Sequence, residues 1–159
     1  MASVFDARCL GCDYRQRIIG CTDYAYRLSE VPDVFLWAQI AWCDYCHEIV
    51  QAERMLTATE SKTWVADGTP KRLRRDAERY REMLTFRRSP ARCLRCGTTD
   101  IHAASGDRNQ QHVLHPECGK DIVLHHAGLA RLGSHTHIYT PEGEYLETVD
   151  SVLVPGKGS

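Results

Sequence analysis

Nothing in this chain of 159 residues is long and apolar enough to cross a membrane as a helix. The longest weakly polar stretch, Val34 to Trp42, contains Gln39 and is half the length of a span. The opening residues, Met1 to Arg8, have no apolar h-region, so no signal peptide is expected. Neither sign of charge is in excess. Twenty Lys and Arg stand against 21 Asp and Glu, a net of −1, and the molecule as a whole is no polycation. With 43% apolar and 26% charged residues, wholesale disorder is excluded too. The expectation is a cytoplasmic protein without membrane contact. What the chain does have in quantity is eight Cys and eight His. In a reducing compartment, paired cysteines serve as metal ligands or redox groups more often than as disulfides.

Four short motifs hold most of these residues: Cys9-Leu-Gly-Cys12, Cys43-Asp-Tyr-Cys46, Cys93-Leu-Arg-Cys96 and His115-Pro-Glu-Cys118. Two intervening residues let a tight turn aim two side chains at one metal, while backbone N–H groups support the sulfurs. Seven Cys and one His make two full tetrahedral sets, and two structural zinc ions are expected. Cys21 is left over. Read along the chain, neighbouring motifs pair. Cys93, Cys96, His115 and Cys118 form one set, and Cys9, Cys12, Cys43 and Cys46 the other. Cys21 is the main rival ligand in that N-terminal set, and iron is its rival metal. His47 is the weaker rival ligand because it follows Cys46 directly. No thioredoxin-like βαβ pattern surrounds either Cys-x-x-Cys, which argues against a dithiol switch.

Gly97 and Gly119 directly follow the second ligand of their motifs, where a positive φ is often needed. With the strand-like stretches Thr99 to His102 and Asp121 to Leu124, the knuckles Cys93-Leu-Arg-Cys96-Gly97 and His115-Pro-Glu-Cys118-Gly119 resemble those of zinc ribbons and rubredoxin-type modules. The resemblance covers about 35 residues, or about 85 with the N-terminal pair included. It implies a fold group and no single activity.

The expected architecture is α+β, two small zinc ribbons joined by an amphipathic helix. An N-terminal module spans 1–50, a linker and basic helix 51–88, the second ribbon 89–126, and a β-hairpin with a tail 127–159. Strands are expected over Tyr14 to Ile19, Asp23 to Leu28 and Val34 to Trp42, where aromatic and β-branched residues dominate. A short helix is read over Ile49 to Leu56. A longer one starts near Pro70, with Thr69 as N-cap, and carries Leu73, Ala77, Tyr80 and Leu84 at helical spacing until Arg88-Ser-Pro90 ends it. The turn Pro141-Glu-Gly-Glu144 marks the hairpin. Phe35, Leu36, Trp37, Trp42, Leu73, Tyr80 and Leu84 are the core candidates.

Closed four-ligand sets leave no position for water or substrate, so the metals are expected to hold the fold and not to react. A protein-interaction or adaptor role, self-association included, follows by elimination. Nucleic-acid binding is the alternative. Residues 71–95 hold ten Lys or Arg against three acids, a net of +7, and with −1 overall the remainder carries −8. Arg72, Arg75, Arg79, Arg87 and Arg88 are the candidate contacts to phosphate or to an acidic partner. The bland reading of such a run is a solvated helix pairing with its own Glu78 and Glu82. A third reading is a metal-dependent hydrolase built on His125, His126, His135 and His137, with Asp121 or Glu144 as base. The Asn and His spacing of the common zinc-supported nuclease motif is absent.

Overall fold

Apolar or small residues alternate with polar ones from Ala2 onward, and this segment forms strand β1 (Ala2–Cys9), with Phe5, Ala7 and Cys9 buried and Asp6 and Arg8 exposed. The computed structural model describes residues 2–20, 24–28, 34–57, 59–60, 71–131 and 135–150, without the side chains of 71–76. Strand β2 (Arg15–Ile19) folds back on β1. The other neighbour of β1 comes from far along the chain. Strand β10 (Lys120–Ala130) pairs with it antiparallel, from Ala2 opposite Ala130 to Cys9 opposite Ile122, with a bulge at Val4/Phe5. Strands β9 (Gln110–His115) and β8 (Ser105–Gly106) complete a five-stranded sheet in the order β2-β1-β10-β9-β8.

A second sheet has the order β6-β5-β7, from β5 (Ala38–Cys43), β6 (Glu48–Glu53) and β7 (Ile101–Ala103). Its apolar face meets the first sheet. Ile40, Trp42 and Ile49 pack there with Phe5, Ala7, Ile18, Val113, Ile122 and Leu124. The third sheet, β12-β11-β3-β4, joins β3 (Tyr24–Tyr26), β4 (Val34–Phe35), β11 (His135–Tyr139) and β12 (Tyr145–Asp150), with β11 parallel to β3. The helix α1 (Lys71–Phe86) presses Ala77, Tyr80 and Met83 inward, one face at i, i+3 and i+6. A second core of Tyr24, Tyr26, Val34, Leu36, Leu56, Tyr80, Met83, Leu94 and Tyr139 forms between the helix and this sheet.

The α+β expectation is therefore corrected. Twelve strands in three sheets stand against one sixteen-residue helix among the described residues, and that helix packs on β4 and the second core instead of linking two ribbons. Ile49 to Leu56 does not open a helix. β-Branched Ile49 and Val50 sit in β6, paired with Trp42 and Ala41 across the hairpin. Val34 to Trp42 is broken into β4 and β5, which belong to different sheets. The hairpin around Pro141 to Glu144 forms as β11–β12. Leu36, Trp42 and Tyr80 are buried, Phe35, Trp37 and Leu84 half-buried. Cys21, Thr69, Pro70 and the tail lie outside the described residues, as does the side chain of Leu73.

One buried charge ties the three regions. Glu53, at the end of β6, has no exposed surface. Its carboxylate accepts hydrogen bonds from Tyr26 Oη at 2.7 Å, from both terminal nitrogens of Arg87 and from the Arg92 backbone N–H at 2.9 Å. Arg87, whose side chain is only 2% exposed, spends its remaining donors on the carbonyls of Ser89, Pro90 and Pro141. Burying an ion costs several kcal/mol, and this set of partners offsets that cost. The hairpin turn closes over the carboxylate at Gly143, φ +83°, where a Cβ would lie 2.6 Å from Glu53 Oε2.

Candidate metal centres

All eight predicted ligands come together in two groups of four, but in different partnerships from those the sequence order suggested. Cys9, Cys12, His115 and Cys118 form one group; Cys43, Cys46, Cys93 and Cys96 form the other. Within each, the ligand atoms all lie within 4.8 Å of one another. The pairing of neighbouring motifs is thus overturned by the strand register. Because β1 ends at Cys9 opposite Ile122, the first knuckle lands beside the β9–β10 turn that carries His115 and Cys118. The β5–β6 turn carries Cys43 and Cys46, and an isolated bridge from Ala52 to Cys93 brings the fourth pair to it.

In the first centre the Cys9 and Cys118 sulfurs are 3.2 Å apart, and His115 turns Nδ1 toward Cys12 at 3.4 Å and Cys118 at 3.3 Å. These separations exceed a disulfide bond of about 2.05 Å. They fall slightly inside the edge of about 3.8 Å for a tetrahedron with metal–sulfur arms of about 2.3 Å. The His115 ring is clasped by Trp42 at 4.7 Å and Tyr14 at 5.2 Å, centroid to centroid. Gly11 lets the knuckle lie against β10, since a Cβ there would strike the Lys120 side chain. Gly11 N–H points at Cys9 Sγ from 3.4 Å.

The second centre is built alike and is more deeply walled. Cys43 and Cys93 are buried against Val50, with Cys43 Sγ 3.6 Å from Cys96 Sγ. Backbone N–H groups of Cys46 and Arg95 reach the sulfurs of Cys43 and Cys93 at 3.4 Å. Three of the four knuckles close the same way. His47, Gly97 and Gly119 adopt positive φ of 56°, 79° and 75°, and each donates its N–H to the carbonyl of the knuckle's first ligand.

The thiols in each centre compete for charge. Burial opposes ionisation of Cys9, but the Gly11 N–H and the neighbouring ligands Cys118, His115 and Cys12 outweigh it and bring the thiol down to about 6. Burial pushes Cys93 up to about 11 and Cys46 higher still, while the Thr98 N–H and nearby thiols hold Cys96 low. Several thiolates this close need a compensating cation, and each group is placed so that it could hold one. A set of three thiolates with one imidazole and a set of four thiolates both suit such an ion.

The other predicted contacts are scattered. Arg87 is consumed by Glu53; of the other arginines in the basic run, Arg92 donates to the Glu142 and Gly97 carbonyls and Arg95 pairs with Glu48. Arg88 is exposed, Arg79 half-buried, and the side chains of Arg72 and Arg75 lie outside the description. His125 and His126 are on β10 in the first sheet, His135 and His137 on β11 in the third. His135 pairs with Asp150, His137 meets Thr148, and His126 packs edge-on to Phe5. Among the described residues they form no metal-ligating group.

Sequence reasoning passed over Trp42 and Tyr14 as walls of the first centre. It also passed over Glu117, inside the fourth knuckle, whose Oε1 lies 2.8 Å from His47 Nδ1 and whose Oε2 lies 3.5 Å from His115 Nε2. The visible signal was His47 itself, a side chain at the place where two other knuckles have glycine. No family model, curated protein or solved structure matches the chain.

Proposed function

We propose that the protein is a zinc-stapled binding module, in which both metals are structural and activity resides in docking a protein partner or a second copy. One observation carries this reading: each centre has four protein donors, which fills a tetrahedron and leaves no position for substrate or water. The seven described cysteines are all free and nearly all the chain's thiols are taken up in these sets, which fits a reducing, intracellular setting. No helix among the described residues is long and apolar enough to cross a membrane. The knuckle tips carry Leu10 and Tyr45, 62% and 75% exposed.

Elemental analysis of untagged protein, purified without added metal, should return two zinc ions per chain. A third ion that disappears in His135→Ala would overturn the closed-site reading, and iron in place of zinc would overturn the choice of metal.

A nucleic-acid role has one supporting feature, though not the helical one. Arg8 and Arg15 face each other across β1 and β2, and with Gln16, His125 and the Arg17–Asp6 ion pair they line a cleft of about 410 Å³. Labelled single- and double-stranded oligonucleotides should then bind at low salt and dissociate as salt rises, with Arg8→Glu/Arg15→Glu abolishing the signal. Unchanged binding in that variant, or none at low salt, would remove this reading and leave the protein-docking one.

A further inference from the structure

His47 holds a left-handed backbone conformation, φ +56°, in the position that Gly97 and Gly119 occupy in two other knuckles. Histidine tolerates this region better than most residues, yet it carries a strain that glycine avoids. An observed backbone outlier invites a search for what its side chain does. Here the imidazole Nδ1 reaches Glu117 Oε1 at 2.8 Å. Glu117 belongs to the knuckle of the other centre, and its second oxygen stands 3.5 Å from His115 Nε2. That nitrogen is buried and has no hydrogen-bond partner among the described residues.

The chemistry of the ring explains why the carboxylate is placed there. His115 turns Nδ1 to the thiolates, so a metal held on Nδ1 leaves the neutral ring's proton on Nε2. A ligating histidine ordinarily gives that second N–H to a carboxylate or carbonyl, which fixes its tautomer and orientation. Glu117 is the carboxylate within reach. On its far side it is held by the residue that directly follows Cys46, a ligand of the second centre. A buried contact runs beside this surface one: Trp42 packs on the His115 ring and immediately precedes Cys43, another ligand of the second centre.

We infer that Glu117 is a positioning residue for the first metal centre, and that His47, Glu117 and His115 form a line of contacts coupling the two centres. Closure of the Cys43 centre places His47, His47 orients Glu117, and Glu117 holds the His115 ring for its metal. This rests on the metal-binding reading above.

Cobalt(II) tests it, because three-sulfur-one-nitrogen and four-sulfur sites absorb differently. Wild-type protein should take up two Co²⁺. Glu117→Gln should weaken the three-sulfur-one-nitrogen site about tenfold or more and shift its bands, with the four-sulfur site unchanged. His47→Gly suits its backbone and should weaken that same site while leaving its own knuckle's site intact. The double variant should be no worse than Glu117→Gln alone. Unaltered cobalt binding in Glu117→Gln overturns the positioning role. A His47→Gly effect that is absent, confined to the four-sulfur site, or additive with Glu117→Gln overturns the coupling. If wild-type protein takes up no cobalt, the metal reading itself fails and the inference fails with it. Two bound ions with indistinguishable variants sink the inference alone.

Discussion

Cys118→Ser should unravel the knuckle of Cys9 and Cys12, more than a hundred residues away, and leave the nearby Cys93 knuckle protected. Cys96→Ser should do the converse, releasing the turn at Cys43 to Cys46. Both follow from the nested partnerships of the two donor sets, first knuckle with fourth and second with third. Structural zinc contributes on the order of 10–16 kcal/mol of apparent binding energy in small metal-folded modules, so on the proposed zinc reading loss of one ligand in four removes a large part of what holds a centre closed. Native-state hydrogen exchange read by peptide mapping separates the two patterns. In Cys118→Ser the new exchange should appear at residues 9–14, where the Cys9 N–H is otherwise bonded to the Tyr14 carbonyl and the Leu10 N–H to that of Asp121. Exchange appearing instead at residues 93–97 would restore the pairing of neighbouring motifs. Chelation should reproduce both losses together.

Glu53→Ala is expected to be the most damaging substitution outside the metal centres. It strands the Arg87 guanidinium, the Tyr26 hydroxyl and the Arg92 N–H without their acceptor. Removing one partner of a buried ion pair costs roughly 3–5 kcal/mol. For a chain of this size that lowers the melting temperature by roughly 6–20 °C. Arg87→Met should cost a similar amount, and the double variant much less than the sum, because neither charge is then left alone. Gly143→Ala belongs to the same experiment, since its Cβ would press on the carboxylate from a backbone conformation alanine disfavours. Urea midpoints on metal-loaded protein give the comparison. Glu53→Ala within about 1 kcal/mol of wild type, a loss typical of an ordinary site, would mean that the three donors find other acceptors.

The ligands were legible in the sequence because two-residue spacing is a local property of a turn. Their partnerships were not. Four near-identical knuckles say nothing about which two meet, and the answer lies in the pairing of β1 with β10, a contact no local pattern encodes. Helix α1 was legible for the same reason as the ligands: Ala77 and Tyr80 repeat at a period that needs no distant partner. Its arginines misled. Arg87 and Arg92 look like surface charge in a basic run, yet they face inward to Glu53 and to carbonyls of the hairpin turn. Ile49 to Leu56 failed at a shorter range. Eight residues are too few for either period to declare itself, and the cross-strand contact between Ile49 and Trp42 decides in favour of a strand.

The nested donor sets also give the polypeptide a schedule. During synthesis the Cys43 centre has all its ligands once Cys96 has been made, whereas Cys9 and Cys12, made earlier, must wait for Cys118. Strand β1 waits with them, its outer edge unpaired until β10 follows. Of the four knuckles, the first to be made is thus among the last to find its partner. A chain interrupted between Cys96 and His115 would carry one complete donor set and one open pair of thiols, with β1 lacking its β10 neighbour.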